Sequence, residues 1–193
     1  MTLSDYRYWI FDMDGTLTLA VHDFDAIRSE LGIEQGKPIL EAIDEMPMPQ
    51  AAIKMQQLND IEMEIAGKSK PQPGANELLG HLKSLGCSVG ILTRNGCDIA
   101  VATLKASGLL NYFDSNTILG RESCAPKPAP DGINIHLAQW NAEKSQTVMV
   151  GDYRFDLEAG QRAGVSTIHL DVNNGEHWPE MTTLKVSSLQ ELF

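Results

Sequence analysis

Positive charge is scarce in this chain. Fifteen lysines and arginines stand against 26 acidic residues, for a formal net charge of −11 and a pI near 4.8, and no basic cluster appears anywhere. Nucleic acid and anionic membrane surfaces are therefore excluded as expected partners. An acidic protein that handles an anionic substrate must do so with a few placed cations and a metal. Cysteine is scarce too. Cys87, Cys97 and Cys124 are an odd number without C-x-x-C spacing, which rules out a disulfide framework and predicts reduced, structural thiols in a cytoplasmic protein. No apolar run has the length to span a membrane. The N-terminal stretch Met1 to Arg7 has no basic region leading into an apolar one, so no signal peptide is expected. There is no internal repeat and no low-complexity segment. What remains, 42% hydrophobic over 193 residues, suits one globular domain or a domain with a small insert, expected as a monomer or homodimer.

The stretch Trp9-Ile10-Phe11-Asp12-Met13-Asp14-Gly15-Thr16-Leu17-Thr18 organises the rest. It starts as an apolar run of the kind that fills a buried strand and stops at two carboxylates one residue apart. Residues i and i+2 of an extended segment point the same way, so Asp12 and Asp14 can both face what lies beyond the strand end. Gly15 permits a turn that a residue with a Cβ resists. Two acids on the rim of a buried strand repel each other and lose hydration unless a cation or proton compensates them. Alone, an Asp-Gly-Thr turn is ordinary strand-end punctuation, and the spacing beyond it is wrong for a calcium-binding EF-hand loop.

Residues 7–12 read as the first strand, and the next fifty or so residues read as helices. Asp23 caps a helix carrying Phe24, Ile27 and Leu31, with Gly32 as its stop. Pro38 opens a second through Ile39, Leu40 and Ile43, ending before Pro47 and Pro49. A third runs from about Gln50 to Ala66, with Ile53, Leu58, Ile61 and Ile65 on one side. Residues 68–74 read as a hinge. From Gly74 onward helices alternate with strands at 87–92, 117–119, 147–150 and 166–170; Asp131 is placed to cap the helix through Ile133, Ile135 and Leu137, and residues 189–193 form a short terminal turn. This alternation specifies an α/β fold, a Rossmann-like, doubly wound parallel sheet. The all-helical piece, 19–74, is expected to be a cap inserted after the first strand, with 1–18 and 75–193 forming the catalytic core.

Ligands in such folds bind at the carboxyl ends of the strands, and the polar residues of this chain gather there. The first strand ends in Asp12 and Asp14. The second ends in Thr93, followed by Arg94 and Asn95. Lys127 lies in the loop after the third, between Pro126 and Pro128. The fourth ends in Asp152, with Asp156 four residues on. Each has a dull explanation alone, as a helix cap, a solvated lysine or a turn residue; together at one sheet edge they do not.

In their order and spacing, Phe11-Asp12-Met13-Asp14-Gly15-Thr16-Leu17-Thr18, Thr93, Lys127-Pro128 and Gly151-Asp152-Tyr153-Arg154-Phe155-Asp156 resemble the four motifs of the haloacid dehalogenase superfamily, and the helical insert resembles the cap of its phosphoglycolate phosphatase-like branch, though it is short for one. The resemblance implies a Mg²⁺-dependent phosphatase that hydrolyses a small phosphorylated metabolite through an aspartyl-phosphate. It implies Asp12 as nucleophile and Asp14 as general acid/base, with Mg²⁺ held by Asp12, Asp152 and the backbone carbonyl of Asp14. Thr93 and Lys127 would bind the phosphate, and Asp156 would orient Lys127 or a metal-bound water from behind. Asp14 argues for phosphate esters, because the dehalogenases of the superfamily lack this second acid. Arg94 departs from the branch pattern. It either grips a second anionic group of the substrate or pairs with one of the many carboxylates, and Asn95 either caps the following helix or touches phosphate. The alternative activity is a phosphotransferase of the β-phosphoglucomutase type; a non-catalytic phosphoacceptor or binding domain is the remote one.

Overall fold

The computed structural model describes residues 3–175 and 177–193. Six strands, β1 (Tyr8–Phe11), β2 (Ser88–Leu92), β3 (Ile118–Leu119), β4 (Thr147–Gly151), β5 (Ser166–Leu170) and β6 (Leu184–Val186), pair in the order β3-β2-β1-β4-β5-β6, and every pairing is parallel. Both faces are covered. Trp9 and Phe11 of β1 point into one apolar core with Leu78, Leu79, Leu104 and Val148. Ile10 points the other way, toward Leu92, Ile133, Met149 and Ala159. A strand buried on both faces must be apolar at every position, and β1 is. Between the strands run α4 (Ala75–Ser84), α5 (Cys97–Ala106), α6 (Asp131–Trp140) and α7 (Arg154–Ala163).

β1 lies at the centre, with Phe11 in register with Ile91 of β2 and Val150 of β4. The three strands therefore end level, at the point where strand order reverses. Thr93, Asp12 and Asp152 are the next residues, or nearly so, along each.

The segment between β1 and α4 forms α1 (Phe24–Leu31), α2 (Ile39–Asp44) and α3 (Met48–Ala66), with an apolar cluster of its own made by Ile27, Leu31, Leu40, Ile43 and Leu58. The Asp23 carboxylate accepts from the Ala26 amide at 2.9 Å, capping α1 as predicted, and Gly32 ends it in the left-handed conformation at φ 68°. The two chain passages into and out of the segment run side by side, Leu19 N donating to Lys70 O at 3.0 Å and Gln72 N to Leu17 O at 2.8 Å.

Four local expectations need correction. β6 was not anticipated: three residues, with Leu184 half exposed at the sheet edge, leave too short a pattern to read. Helix α3 starts at Met48, because Pro49 sits in its first turn, where no amide donor is needed. Ile53 is 61% exposed; α3 turns Leu58, Glu62 and Ala66 inward. Asp131 is the first residue of α6 and Pro130 occupies the capping position, without a side-chain capping bond. Among the described residues, no helix is long and apolar enough to cross a membrane.

One core polar group sets an acid limit on stability. His136 of α6 is fully buried, with Nε2 3.1 Å from the Ile91 carbonyl and its ring stacked on Trp140 at 4.6 Å. Gly90 of β2 leaves the space it needs, since a Cβ there would lie 2.6 Å from His136 Cε1. Burial pushes the His136 pKa down from 6.5 to about 4. A depressed histidine binds its proton only on unfolding, so stability falls as pH drops from 6.5 towards 4. Urea denaturation at pH 7 and pH 4.5 should show wild type losing about 2.5 kcal/mol more than His136→Gln over that interval; equal losses would show that His136 is protonated in the native state.

Candidate active site

The turn after β1 is built around one carbonyl. Met13 O accepts from the amides of Thr16, Leu17 and Thr18 at 3.3, 2.9 and 2.9 Å and from the Thr18 hydroxyl at 3.2 Å. This locks Asp14 relative to Asp12, whose own amide donates to Val150 O at 2.9 Å. Gly15 is required on two counts: its φ is +86°, and a Cβ would run into the Asp152 carboxylate.

Four carboxylates and one ammonium meet at this edge. Lys127, 3% exposed, reaches both Asp12 and Asp156, the latter at 2.6 Å. Burial alone would lower the Lys127 pKa, but the two carboxylates outweigh it and hold the ammonium firmly charged. Asp156 sits in the first turn of α7 and also accepts from the Tyr153 amide at 3.1 Å, which fixes the lysine's anchor. Asp152, by contrast, has one hydroxyl donor, Thr16 Oγ1 at 3.2 Å. Burial first, then repulsion from Asp12 and Asp156, pushes its pKa up. Oxygen atoms of Asp12, Asp152 and Asp156 lie within 4.8 Å of one another. With Lys127 satisfying the Asp12–Asp156 side, the uncompensated charge lies between Asp12 and Asp152, and an all-oxygen donor set of this kind suits a hard cation such as Mg²⁺.

Asp14 stands opposite. Its Oδ2 accepts from Asn95 Nδ2 at 2.7 Å and its Oδ1 from the Thr18 hydroxyl at 3.4 Å, with His22 Nδ1 3.8 Å away. Burial and the neighbouring Asp12 push its pKa up to about 7, against the pull of Asn95, Lys127 and Thr18. Such a group gives or takes a proton near neutrality. Thr93 is buried, its hydroxyl oxygen accepting from the Asn95 amide at 3.1 Å.

Asp12, Asp14, Thr93, Arg94, Asn95, Lys127, Asp152 and Asp156 all border one cavity of about 350 Å³, so the structure brings every sequence-predicted site residue together. Asn95 is engaged otherwise than expected, and Arg94 takes the second of its two expected roles. Asn95 neither caps α5 nor faces free space: Gly96 takes the capping position and the Asn95 amide group holds Asp14. Arg94 pairs with a carboxylate, that of Glu41 on α2: its Nη2 is 2.7 Å from both oxygens, its Nη1 donates to Lys127 O at 2.7 Å, and its guanidinium lies 4.8 Å over the Phe155 ring. Sequence reasoning missed a second bridge to the helical segment, the buried pair of Glu62 on α3 and Arg121 in the loop after β3. Burial pushes the Glu62 pKa up to about 7 despite Arg121. The one available signal was Glu62 standing four residues after the inward-facing Leu58.

The family described as haloacid dehalogenase-like hydrolase matches residues 9–170. The chain belongs to that family. A haloacid dehalogenase-like hydrolase domain-containing protein of Arabidopsis thaliana is 32% identical over 199 residues, covering 95% of this chain and 77% of the relative. A phosphoglycolate phosphatase of Caulobacter vibrioides is 28% identical over 182 residues, covering 80% of this chain and 75% of its own. Among solved structures, a hydrolase from Pseudomonas syringae superposes with a TM-score of 0.80 at 23% identity, covering 96% of this chain and 95% of that one. The superfamily, the doubly wound parallel fold and an enzyme of the hydrolase type with phosphatases among its relatives are as the four motifs led us to expect.

Asn95 favours the ionised form of Asp14, so removing it should raise the Asp14 pKa further. In an Asn95→Leu variant the alkaline limb of the kcat/KM pH profile, where Asp14 loses its proton, should move up by about one pH unit. An unmoved limb would show that Asp14 is not the titrating acid.

Proposed function

We propose that this protein is a Mg²⁺-dependent phosphomonoesterase of small metabolites that works through an aspartyl-phosphate on Asp12. The observation that carries the reading is the convergence of Asp12, Asp14, Thr93, Lys127 and Asp152, drawn from three strand ends and the loop after β3, on one cavity. Asp12 attacks phosphorus as the bond to the leaving alkoxide breaks, and Asp14, with a pKa near 7, gives that alkoxide its proton. Asp14 then takes a proton from the water that attacks the phosphoryl group on Asp12, which restores both acids. Lys127, held in place by Asp156, places a fixed positive charge beside the phosphoryl oxygens, and the Thr93 hydroxyl donates to one of them. Asp12, Asp152 and the backbone carbonyl of Asp14 would hold Mg²⁺. When bound, the ion supplies the charge that screens the anionic phosphoryl group from the attacking carboxylate. The three-helix segment, residues 19–74, serves as the cap that closes the cavity and excludes water before chemistry.

The test is phosphate release from a panel of phosphorylated metabolites with and without Mg²⁺. Wild type should release phosphate only with the metal, and Asp12→Asn should lose at least a thousandfold in kcat. Equal release by wild type and Asp12→Asn would remove Asp12 as nucleophile, and isomer formation from sugar phosphates in place of free phosphate would assign a phosphotransferase.

A further inference from the structure

A phosphate ester consists of the phosphoryl group and the alcohol that carries it, and the walls beyond the catalytic edge bear on the second part. On the side of the helical segment the cavity is lined by Phe24, Ile27, Ile39, Leu40 and Leu58, and Phe155 of α7 faces them. Phe24 is 54% exposed, an apolar surface at the cavity with little covering it. Burying an apolar alcohol against such walls is favourable at about 25 cal/mol per Å².

The cations among the described lining residues are Arg28, Arg94 and Lys127, and each is already matched. Lys127 belongs to Asp12 and Asp156. Arg28 donates to Asp25 at 2.7 Å and to Lys37 O at 2.8 Å. Arg94 is spent on Glu41, the Lys127 carbonyl and the Phe155 ring. Glu62, in the same lining, is paired with Arg121 and offers a second anion no partner. A second anionic group on a substrate would have to displace Glu41 from Arg94. That exchanges one carboxylate for another around the same guanidinium and leaves the displaced acid unpaired beside the new anion, so it yields no net attraction.

Resting on the phosphomonoesterase reading above, we propose that Glu41 is a specificity-determining residue: by neutralising Arg94 it restricts the enzyme to phosphate esters of uncharged, largely apolar alcohols and rejects esters that carry a second anionic group. Discrimination of this kind comes from a repulsive element placed against the wrong ligand. Arg94 is thereby a carboxylate site held shut from the helical segment, and removing the Glu41 charge opens it.

The experiment compares kcat/KM for p-nitrophenyl phosphate and 2-phosphoglycolate with Mg²⁺ in wild type, Glu41→Gln and the double variant Glu41→Gln/Arg94→Gln. The ratio between substrates cancels any loss of active protein, and Glu41→Ala replaces Glu41→Gln if the latter does not fold. Wild type should favour p-nitrophenyl phosphate. The ratio should shift at least tenfold towards 2-phosphoglycolate in Glu41→Gln, and the double variant should return it. A wild type that prefers 2-phosphoglycolate, or a ratio that Glu41→Gln leaves unmoved while both esters are hydrolysed, overturns the inference alone. Release from neither ester, nor from the wider metabolite panel, overturns the phosphomonoesterase reading and the inference with it.

Discussion

Mutual repulsion among buried carboxylates governs this molecule. Asp12, Asp14, Asp152 and Asp156 crowd one edge of the sheet with a single buried ammonium, Lys127, between two of them. Two unit charges about 5 Å apart interact by about 3 kcal/mol at the effective dielectric of a protein site, several times the net worth of an ordinary hydrogen bond. The acids cannot relax away from one another. The level strand ends fix Asp12 beside Asp152, the Met13 carbonyl ties down the turn that bears Asp14, and the first turn of α7 fixes Asp156. The fold therefore holds a charge imbalance in place; burial first, and then that repulsion, raises Asp14 and Asp152 above the ordinary carboxylate range. In the proposed reaction the first is the proton carrier and the second a ligand of the cation.

The helical segment meets this edge with apolar side chains and two acid–arginine bridges. Glu41–Arg94 and Glu62–Arg121 both put the carboxylate on the helices and the guanidinium on the sheet side. The first is half exposed and weak by itself, as surface pairs are. The second is buried, so losing either partner would strand a charge. An apolar roof over the acids lowers the local dielectric and strengthens every electrostatic interaction beneath it.

Much of this was legible in the residues because it depends on local, strongly patterned signals. The uninterrupted apolar run of β1 could only be a strand buried on both faces, and the polar residue closing each strand marked the reactive edge. The Asp23 cap and the Gly32 stop carried the bounds of α1. What stayed hidden was set by tertiary partners. Arg94 is written in the sequence as one arginine among many acids, and only the folded path of α2 selects Glu41. Ile53 leaves its expected side of α3 because packing follows Leu58, Glu62 and Ala66, and the burial of Glu62 is made tolerable by Arg121 from 59 positions away in sequence. Asn95 read either as a cap of the following helix or as a phosphate contact; its side-chain amide instead crosses to Asp14.

The central claim is that the acid cluster is built to be completed by a divalent cation between Asp12 and Asp152. Thermal unfolding of wild type and Asp152→Asn, each with and without Mg²⁺, tests it most directly, because a ligand that binds only the folded state raises Tm. The account predicts that Mg²⁺ raises the Tm of wild type, and that Asp152→Asn raises the metal-free Tm by relieving repulsion while abolishing the Mg²⁺ response. A wild type indifferent to Mg²⁺, or an Asp152→Asn variant that responds as fully as wild type, would contradict it.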